Sequence, residues 1–286
     1  MKALKQILME RARQIPGGLP IIEKDYAIGH IIAGMMEQQT LRSTLVMKGG
    51  TALRRLYFGN YRLSEDLDFT GIAAPNGKDM LREMSEACQT MEDLLQNVGR
   101  FSFSVKRVEH KTPHPTGQEE FKVRVQFPWH DSPSQSVKIE VSHGEPVLLD
   151  PLVLQMIDLY DEDLSVKVKC YRLEEIVAEK LRASLQIAKH RMQRGWARPR
   201  GRDIYDIWRI LVERQTEIDL HGLPDILRKK CDVQNVRFTS LDDFFTVDRV
   251  EEVRQSWTSD VGRFVSDLPK FNDLLAEVKE ILTRVF

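Results

Sequence analysis

Two aspartates separated by a single residue have the clearest potential for chemistry in this chain. Asp66 and Asp68 lie in the segment 66–70, Asp-Leu-Asp-Phe-Thr, whose alternation of polar and apolar residues predicts a β-strand. Side chains two residues apart on a strand point to the same face, so these carboxylates would lie side by side. Two neighbouring carboxylates repel each other, and their hard oxygens suit Mg²⁺ or Mn²⁺. The spacing therefore predicts a divalent metal site at Asp66 and Asp68.

A third carboxylate for this site is expected from a neighbouring strand. The segment 137–141 alternates apolar and polar residues, and Glu140 occupies a polar position in it. We predict Glu140 as the third metal ligand from strand order alone; if the strands within 101–127 pair differently, it does not reach the metal. The alternative interpretation of Asp66 and Asp68 is a solvated strand edge, where charge discourages aggregation.

A Gly-Gly turn precedes the aspartates and could hold a phosphate. The apolar run 45–47 predicts a short strand that stops at Gly49 and Gly50, and Thr51 is the expected N-cap of a helix over 52–58. Small residues let backbone N–H groups approach an anion, and the Thr51 hydroxyl could donate to the same phosphate. Metal-holding carboxylates beside a phosphate-binding turn are what phosphoryl or nucleotidyl transfer requires.

A second cluster of charge lies more than a hundred residues further on. No acidic residue occurs between Glu179 and Asp203, whereas basic residues are frequent and Trp196 lies among them. Such a segment is typical of contact with a phosphate backbone and a stacked base, although a solvated helix end is the alternative. Asp203 and Asp206 share one helix face, but a first helical turn favours acids on dipole grounds alone. The basic residues are Lys180, Arg182, Lys189, His190, Arg191, Arg194, Arg198, Arg200 and Arg202.

The elements around these residues indicate an α+β fold in two parts. The 286 residues are 42% apolar with a net charge of −1, so any nucleic-acid partner must meet a local basic patch. We predict an N-terminal α/β domain over 1–160, with a mixed sheet and flanking helices, and a C-terminal helical domain over 161–286. Predicted helices cover 3–14, 21–39, 78–98, 172–191, 203–213, 223–230, 241–255 and 270–285, and further strands centre on 101–105, 121–127 and 137–141.

The cysteines and the hydropathy pattern bear on the compartment. Cys88, Cys170 and Cys231 are far apart and form no ligand spacing, which favours reduced thiols in a cytoplasmic protein. No stretch has the eighteen or so apolar residues of a membrane span.

These motifs together resemble a known family. The segment 48–51, Lys-Gly-Gly-Thr, followed by Arg62-x-Ser64-x-Asp66-x-Asp68-Phe69, resembles the signature of the AbiEii-type nucleotidyltransferase-fold toxins. These proteins are the toxin halves of bacterial and phage toxin–antitoxin pairs. The helix over 175–183 is similar to that family's E-K-x-x-A helix, and the segment 202–206 to its R-D-x-x-D helix start.

The resemblance implies a mixed-sheet nucleotidyltransferase fold and a metal-dependent transfer from an NTP to RNA, with the tRNA 3′ end as the expected acceptor. It also implies growth arrest and a separately encoded antitoxin. The expected catalytic residues are Asp66, Asp68, Lys180 and Asp203. The expected nucleotide-binding residues are Lys48, Gly49, Gly50, Thr51, Arg62, Ser64 and Lys180. Asp206 is expected to support the fold or to orient Arg202.

Two other functions stay open at the sequence level. The same fold could modify a protein or small-molecule hydroxyl, as an adenylyltransferase or a kinase, but the basic segment favours RNA. A catalytically silent binding partner is the other possibility, and the presence of Asp66, Asp68 and Lys180 argues against it.

Overall fold

The computed structural model describes residues 4–109, 117–195 and 199–286, without the side chains of 188–194. The chain forms two compact units, Met1–Tyr171 and Arg172–Phe286. The first unit therefore extends past residue 160 and includes a strand that ends at Cys170.

The first unit is built on a mixed sheet of seven strands in the described residues, in the order β3-β4-β5-β2-β1-β7-β6. β2 runs parallel to β5 and β1 parallel to β7, and the other neighbours are antiparallel. The sequence predicts β1 to β5 but not β6 and β7, which have four residues each and too few periods of alternation to stand out. The strands are β1 Leu45–Lys48, β2 Asp66–Gly71, β3 Ser102–Val108, β4 Gln118–Gln126, β5 Gln135–Ser142, β6 Leu152–Gln155 and β7 Lys167–Cys170.

Helices cover one face of this sheet because its strands alternate. The apolar residues of β4 and β5, such as Phe121, Val123 and Ile139, are buried, and α2 and α5 pack against each other, with α5 also contacting β3 and α2 contacting β5. The polar residues between them point to the opposite face. The helices are α1 Leu4–Ala12, α2 Gly18–Glu37, α3 Gln39–Thr44, α4 Gly49–Ala52, which continues as a π-helical turn over Leu53–Phe58, and α5 Gly77–Leu95.

The second unit is helical, as predicted. One predicted helix is divided: the segment 241–255 is a 3₁₀ turn over Leu241–Phe244 followed by a separate helix, because Ser240 and Asp243 form a capping box that begins the short turn on its own. None of the helices in the described residues combines the length and apolar character needed to cross a membrane. The main helices are α6 Leu173–Arg194, α7 Gly201–Glu213, α8 Leu223–Val233, α9 Val247–Asp260 and α10 Phe271–Thr283.

Candidate active site

The three predicted carboxylates lie on adjacent strands of the sheet. β2 presents Asp66 and Asp68 to the face opposite its buried Leu67 and Phe69, and the parallel register with β5 places Asp68 opposite Glu140. The strand order on which the prediction of Glu140 depended is therefore present. Its role as a metal ligand stays a prediction.

A lysine that sequence reasoning missed lies among these carboxylates. Lys138 is opposite Asp66 on β5, and its Nζ lies 3.0 Å from Glu140 Oε1 and 4.0 Å from Asp66 Oδ2. Burial opposes its charge, but the carboxylates of Glu140 and Asp66 outweigh burial and raise the pKa of Lys138. The alternation that places Glu140 on this face also places Lys138 there, so a signal for this lysine exists in the sequence.

Burial and neighbouring negative charge oppose the ionisation of Asp68. Burial and then the negative charges of Glu140 and Asp66 raise the pKa of Asp68 from 3.8 to about 7, against the smaller effects of Lys138 and Lys48. A group so placed gains from any further cation, because the cation offsets both the burial and the repulsion.

The donor atoms at this site fit a hard divalent cation. In the described residues no group of three or more His, Cys, Asp or Glu side chains is arranged to hold a metal ion by itself. Mg²⁺, however, is usually held by one or two carboxylates, with water and substrate phosphates completing the shell. Asp66 and Asp68 supply that minimum.

The Gly-Gly turn packs directly against the residues of the signature. Gly49 has φ +77°, and a Cβ built on it would lie 2.5 Å from Asp68 Oδ2. A Cβ on Gly50 would lie 2.5 Å from Arg62 Nη2 and 3.2 Å from Ser64 Oγ. Signature side chains thus approach both glycines closely. The helix begins at Gly49, so the predicted start at residue 52 with Thr51 as N-cap is wrong.

Substituting Gly49 tests this contact. We expect Gly49→Ala to cost about 1–2 kcal/mol for the left-handed backbone and, in addition, to displace the Asp68 carboxylate and reduce transfer at least tenfold. Gly77→Ala is the matched control, because Gly77 also has positive φ, +55°, but a Cβ added to it would meet no atom within 4 Å. Urea unfolding and a nucleotide-transfer assay measure the two effects; equal transfer by both variants would contradict the contact's importance.

Thr51 and Lys48 make contacts inside the first unit. The buried Thr51 hydroxyl donates to the carbonyl oxygen of Asp66 at 2.5 Å, which ties the turn to β2. The buried Lys48 forms an ion pair with Glu145, and its ammonium lies 5.5 Å from the centre of the Tyr171 ring. Sequence reasoning missed Glu145, which lies in an irregular segment after β5 with no motif or periodicity. Arg62 is also buried and donates to the Leu63 carbonyl at 3.1 Å.

The second unit brings Lys180 and Asp203 together. Lys180 Nζ lies 2.9 Å from Asp203 Oδ1 and 2.6 Å from Oδ2 of Asp206, whose side chain is fully buried. Arg200 Nη1 lies 3.2 Å from the other oxygen of Asp203, while Arg202 Nε lies 3.6 Å from Asp260. Asp206 thus pairs with Lys180, a partner that sequence reasoning did not assign to it.

Glu175 and Glu179, on the same helix as Lys180, have a different partner. Lys230 of α8 is fully buried, with Nζ 2.7 Å from Glu175 Oε1 and 3.0 Å from Glu179 Oε1. This ion cluster joins α6 to α8, so these two residues of the motif have a structural role. α6 continues to Arg194, past the predicted helix end at residue 191. The side chains of 189–194 and residues 196–198, with Trp196 and Arg198, lie outside the described residues.

The turn, the paired aspartates and the mixed sheet define the class of a nucleotidyltransferase, and comparisons with known proteins agree. The profile of the family described as nucleotidyl transferase AbiEii toxin, type IV toxin–antitoxin system, matches residues 30–282. The chain belongs to this family of nucleotidyltransferase toxins.

A solved structure confirms the predicted fold. The chain is similar to MenT4, a nucleotidyltransferase toxin from Mycobacterium tuberculosis H37Rv, with a TM-score of 0.66 and 20% identity over 99% of this chain and 90% of that chain. No curated protein matches the sequence.

Proposed function

We propose that this toxin transfers a nucleotide from an NTP to the 3′ end of tRNA with the help of Mg²⁺ or Mn²⁺, and that it arrests growth in the cytoplasm by doing so. The observation that carries the proposal is the contact of Gly49 with Asp68, which joins a turn suited to phosphate to a carboxylate suited to metal. Membership in the family implies a cognate antitoxin, which would neutralise this activity.

The roles of the first unit follow from its contacts. The backbone N–H groups of Gly49 and Gly50 would approach the phosphates, while Thr51, Arg62 and Ser64 hold the turn in place. Lys48 contributes positive charge beside them. Asp66 and Asp68 would hold the metal, with Glu140 next to them. When bound, the metal supplies charge neutralisation of the triphosphate and of the departing pyrophosphate.

The reaction is a displacement at the α-phosphate. The acceptor's 3′ oxygen forms a bond to the α-phosphorus, the bond to the bridging oxygen of the β-phosphate breaks, and the hydroxyl proton is lost to solvent. Lys180, held by Asp203 and Asp206, is proposed to contact the triphosphate, and Asp203 to be the acidic residue that positions it. The two carboxylates fix the position of the Lys180 ammonium and favour its charged form.

The acceptor can be identified directly. Purified protein is incubated with each of the four α-³²P-labelled NTPs, Mg²⁺ and total tRNA, beside Asp66→Ala and the exposed control Asp131→Ala. We expect label on tRNA with wild type and Asp131→Ala, and none with Asp66→Ala. Label only on protein would contradict the RNA acceptor and favour the protein-modifying alternative. Growth inhibition that survives Asp66→Ala would favour a silent binding partner.

A further inference from the structure

A row of lysines crosses the face of the sheet opposite the one that α2 and α5 cover. The register places Lys106 of β3 opposite Lys122 of β4, and Lys122 opposite Lys138 of β5. Lys138 in turn lies opposite Asp66. Residues directly opposite each other share a face, so the row leads from the outermost strand β3 to the paired aspartates. With strands about 4.8 Å apart, the three lysines span about 10 Å.

The acidic residues of the same face form a second row, which meets the lysines at Lys138. Glu120 lies opposite Glu140, and Glu140 opposite Asp68, so the acids form a neighbouring row of their own. Arg124 extends the basic row, two residues from Lys122 on the same strand face. Among the described residues, Lys106, Lys122 and Arg124 have no ion-pair partner, and Lys106 and Arg124 are exposed.

Such an arrangement has an energetic cost in the isolated protein. Like charges directly opposite on neighbouring strands destabilise a sheet, and nothing in the core requires them, because burial depends on the residues of the other face. An arrangement of this kind indicates an anionic partner with repeating charges. A phosphate backbone carries one negative charge per nucleotide and meets such a row better than a single compact anion does.

We propose that Lys106, Lys122 and Arg124, with Lys138 at the inner end, form a binding track for the phosphate backbone of single-stranded RNA. The inference rests on the proposed function and deepens it. The track ends at Asp66 and Asp68, where the terminal hydroxyl of the acceptor must arrive, so it would guide the 3′ end of the RNA into the site. Lys138 contacts the carboxylates as well and connects the track to them.

Direct binding tests the track separately from catalysis. The triple variant Lys106→Ala/Lys122→Ala/Arg124→Ala is compared with wild type by fluorescence anisotropy of a labelled single-stranded RNA, without NTP. We expect at least a tenfold loss of affinity, and a slope of log K against log salt that falls by about 2, since each cation contributes about 0.7 for single strands. In transfer assays the KM for RNA rises while the KM for NTP is unchanged.

The matched control is Arg13→Ala/Lys78→Ala/Lys229→Ala, which removes three exposed cations elsewhere and makes the same change in net charge. Urea unfolding shows that both variants are folded, and loss of like-charge repulsion predicts a stability of the track variant equal to or above wild type. If the track variant binds RNA as wild type does, or if both triple variants lose affinity equally, the track is overturned. The same conclusion follows if wild type does not bind single-stranded RNA.

Different results would contradict the RNA-binding track and the proposed nucleotide transfer. Label transfer to tRNA by wild type together with unchanged RNA binding by the track variant would leave the proposed function in place and remove the track. RNA binding that depends on the track, without any transfer to RNA, would support the track and contradict the transfer.

Discussion

Replacing Asp68 by Asn is expected to stabilise the metal-free protein while it strongly reduces nucleotide transfer. The carboxylate at this position is opposed by burial and by the charges of Glu140 and Asp66. Asn keeps the shape and removes the charge, so we expect a gain on the order of 1–3 kcal/mol near neutral pH. Transfer should fall by about a thousandfold, because metal-ion stabilisation of the transition state contributes several kcal/mol.

The pH dependence of this stabilisation has a definite sign. Asp68 has a folded-state pKa of about 7, above its ordinary 3.8, so the folded protein holds this proton more tightly than the unfolded chain does. The wild type therefore loses stability as pH rises from about 4 to about 7, and the difference from the Asn variant grows over that window. Urea unfolding of the metal-free proteins at several pH values measures it.

Added Mn²⁺ should make wild type more stable than the Asp68→Asn variant. Metal that binds the folded state raises the stability of wild type, by an amount that grows with concentration, and raises that of Asp68→Asn far less. Asp131→Asn, in an exposed loop, serves as the control and should behave as wild type throughout. If Asp68→Asn is less stable than wild type without metal at pH 8, burial and repulsion do not oppose the Asp68 charge. If Mn²⁺ stabilises Asp68→Asn as much as wild type, Asp68 is not a metal ligand.

Lys180→Met should cost both stability and activity. The lysine holds Asp203 and the fully buried Asp206, and its loss leaves buried carboxylates without that charge. Breaking a buried ion pair from one side costs about 3–5 kcal/mol. The double variant Lys180→Met/Asp206→Asn should recover part of the lost stability, because it removes the buried negative charge, but no transfer activity. Urea unfolding and transfer per folded molecule, at a temperature where all variants are folded, measure the two effects.

The second buried lysine of the same unit provides the control. Lys230 is fully buried between Glu175 and Glu179, so Lys230→Met should lose a comparable amount of stability. Its transfer rate per folded molecule should stay near that of wild type, since these contacts join α6 to α8. If Lys180→Met also retains the wild-type rate per folded molecule, Lys180 has only a structural role.

Local periodicity allowed much of the site to be predicted. Alternation put Asp66 and Asp68 on one face, and strand order brought Glu140 beside them, as the register shows. The same alternation contained Lys138, which was missed because a metal site is predicted from its carboxylates and not from the cations between them. Lys106 and Lys122 were missed for a different reason: a row across three strands exists only once the register is known.

Other features had no sequence signal strong enough to use. Glu145 lies in an irregular segment, where neither spacing nor pattern indicates its ion pair with Lys48. β6 and β7 are too short for alternation to distinguish them from loops. The partners of Glu175, Glu179 and Asp206 depend on how helices pack, and their spacing was compatible with surface positions as well.

The turn at Gly49 also bears on how the toxin tolerates mutation. Its backbone has positive φ, and a Cβ added to it would lie 2.5 Å from Asp68 Oδ2, so any side chain here requires that carboxylate to move. A compensating change would have to shorten Asp68, and that change would remove the carboxylate itself. Position 49 therefore has no second-site suppressor among the residues it touches. In a selection for cells that survive expression of the toxin, substitutions at Gly49 should accumulate, and secondary mutations that restore toxicity should be rare.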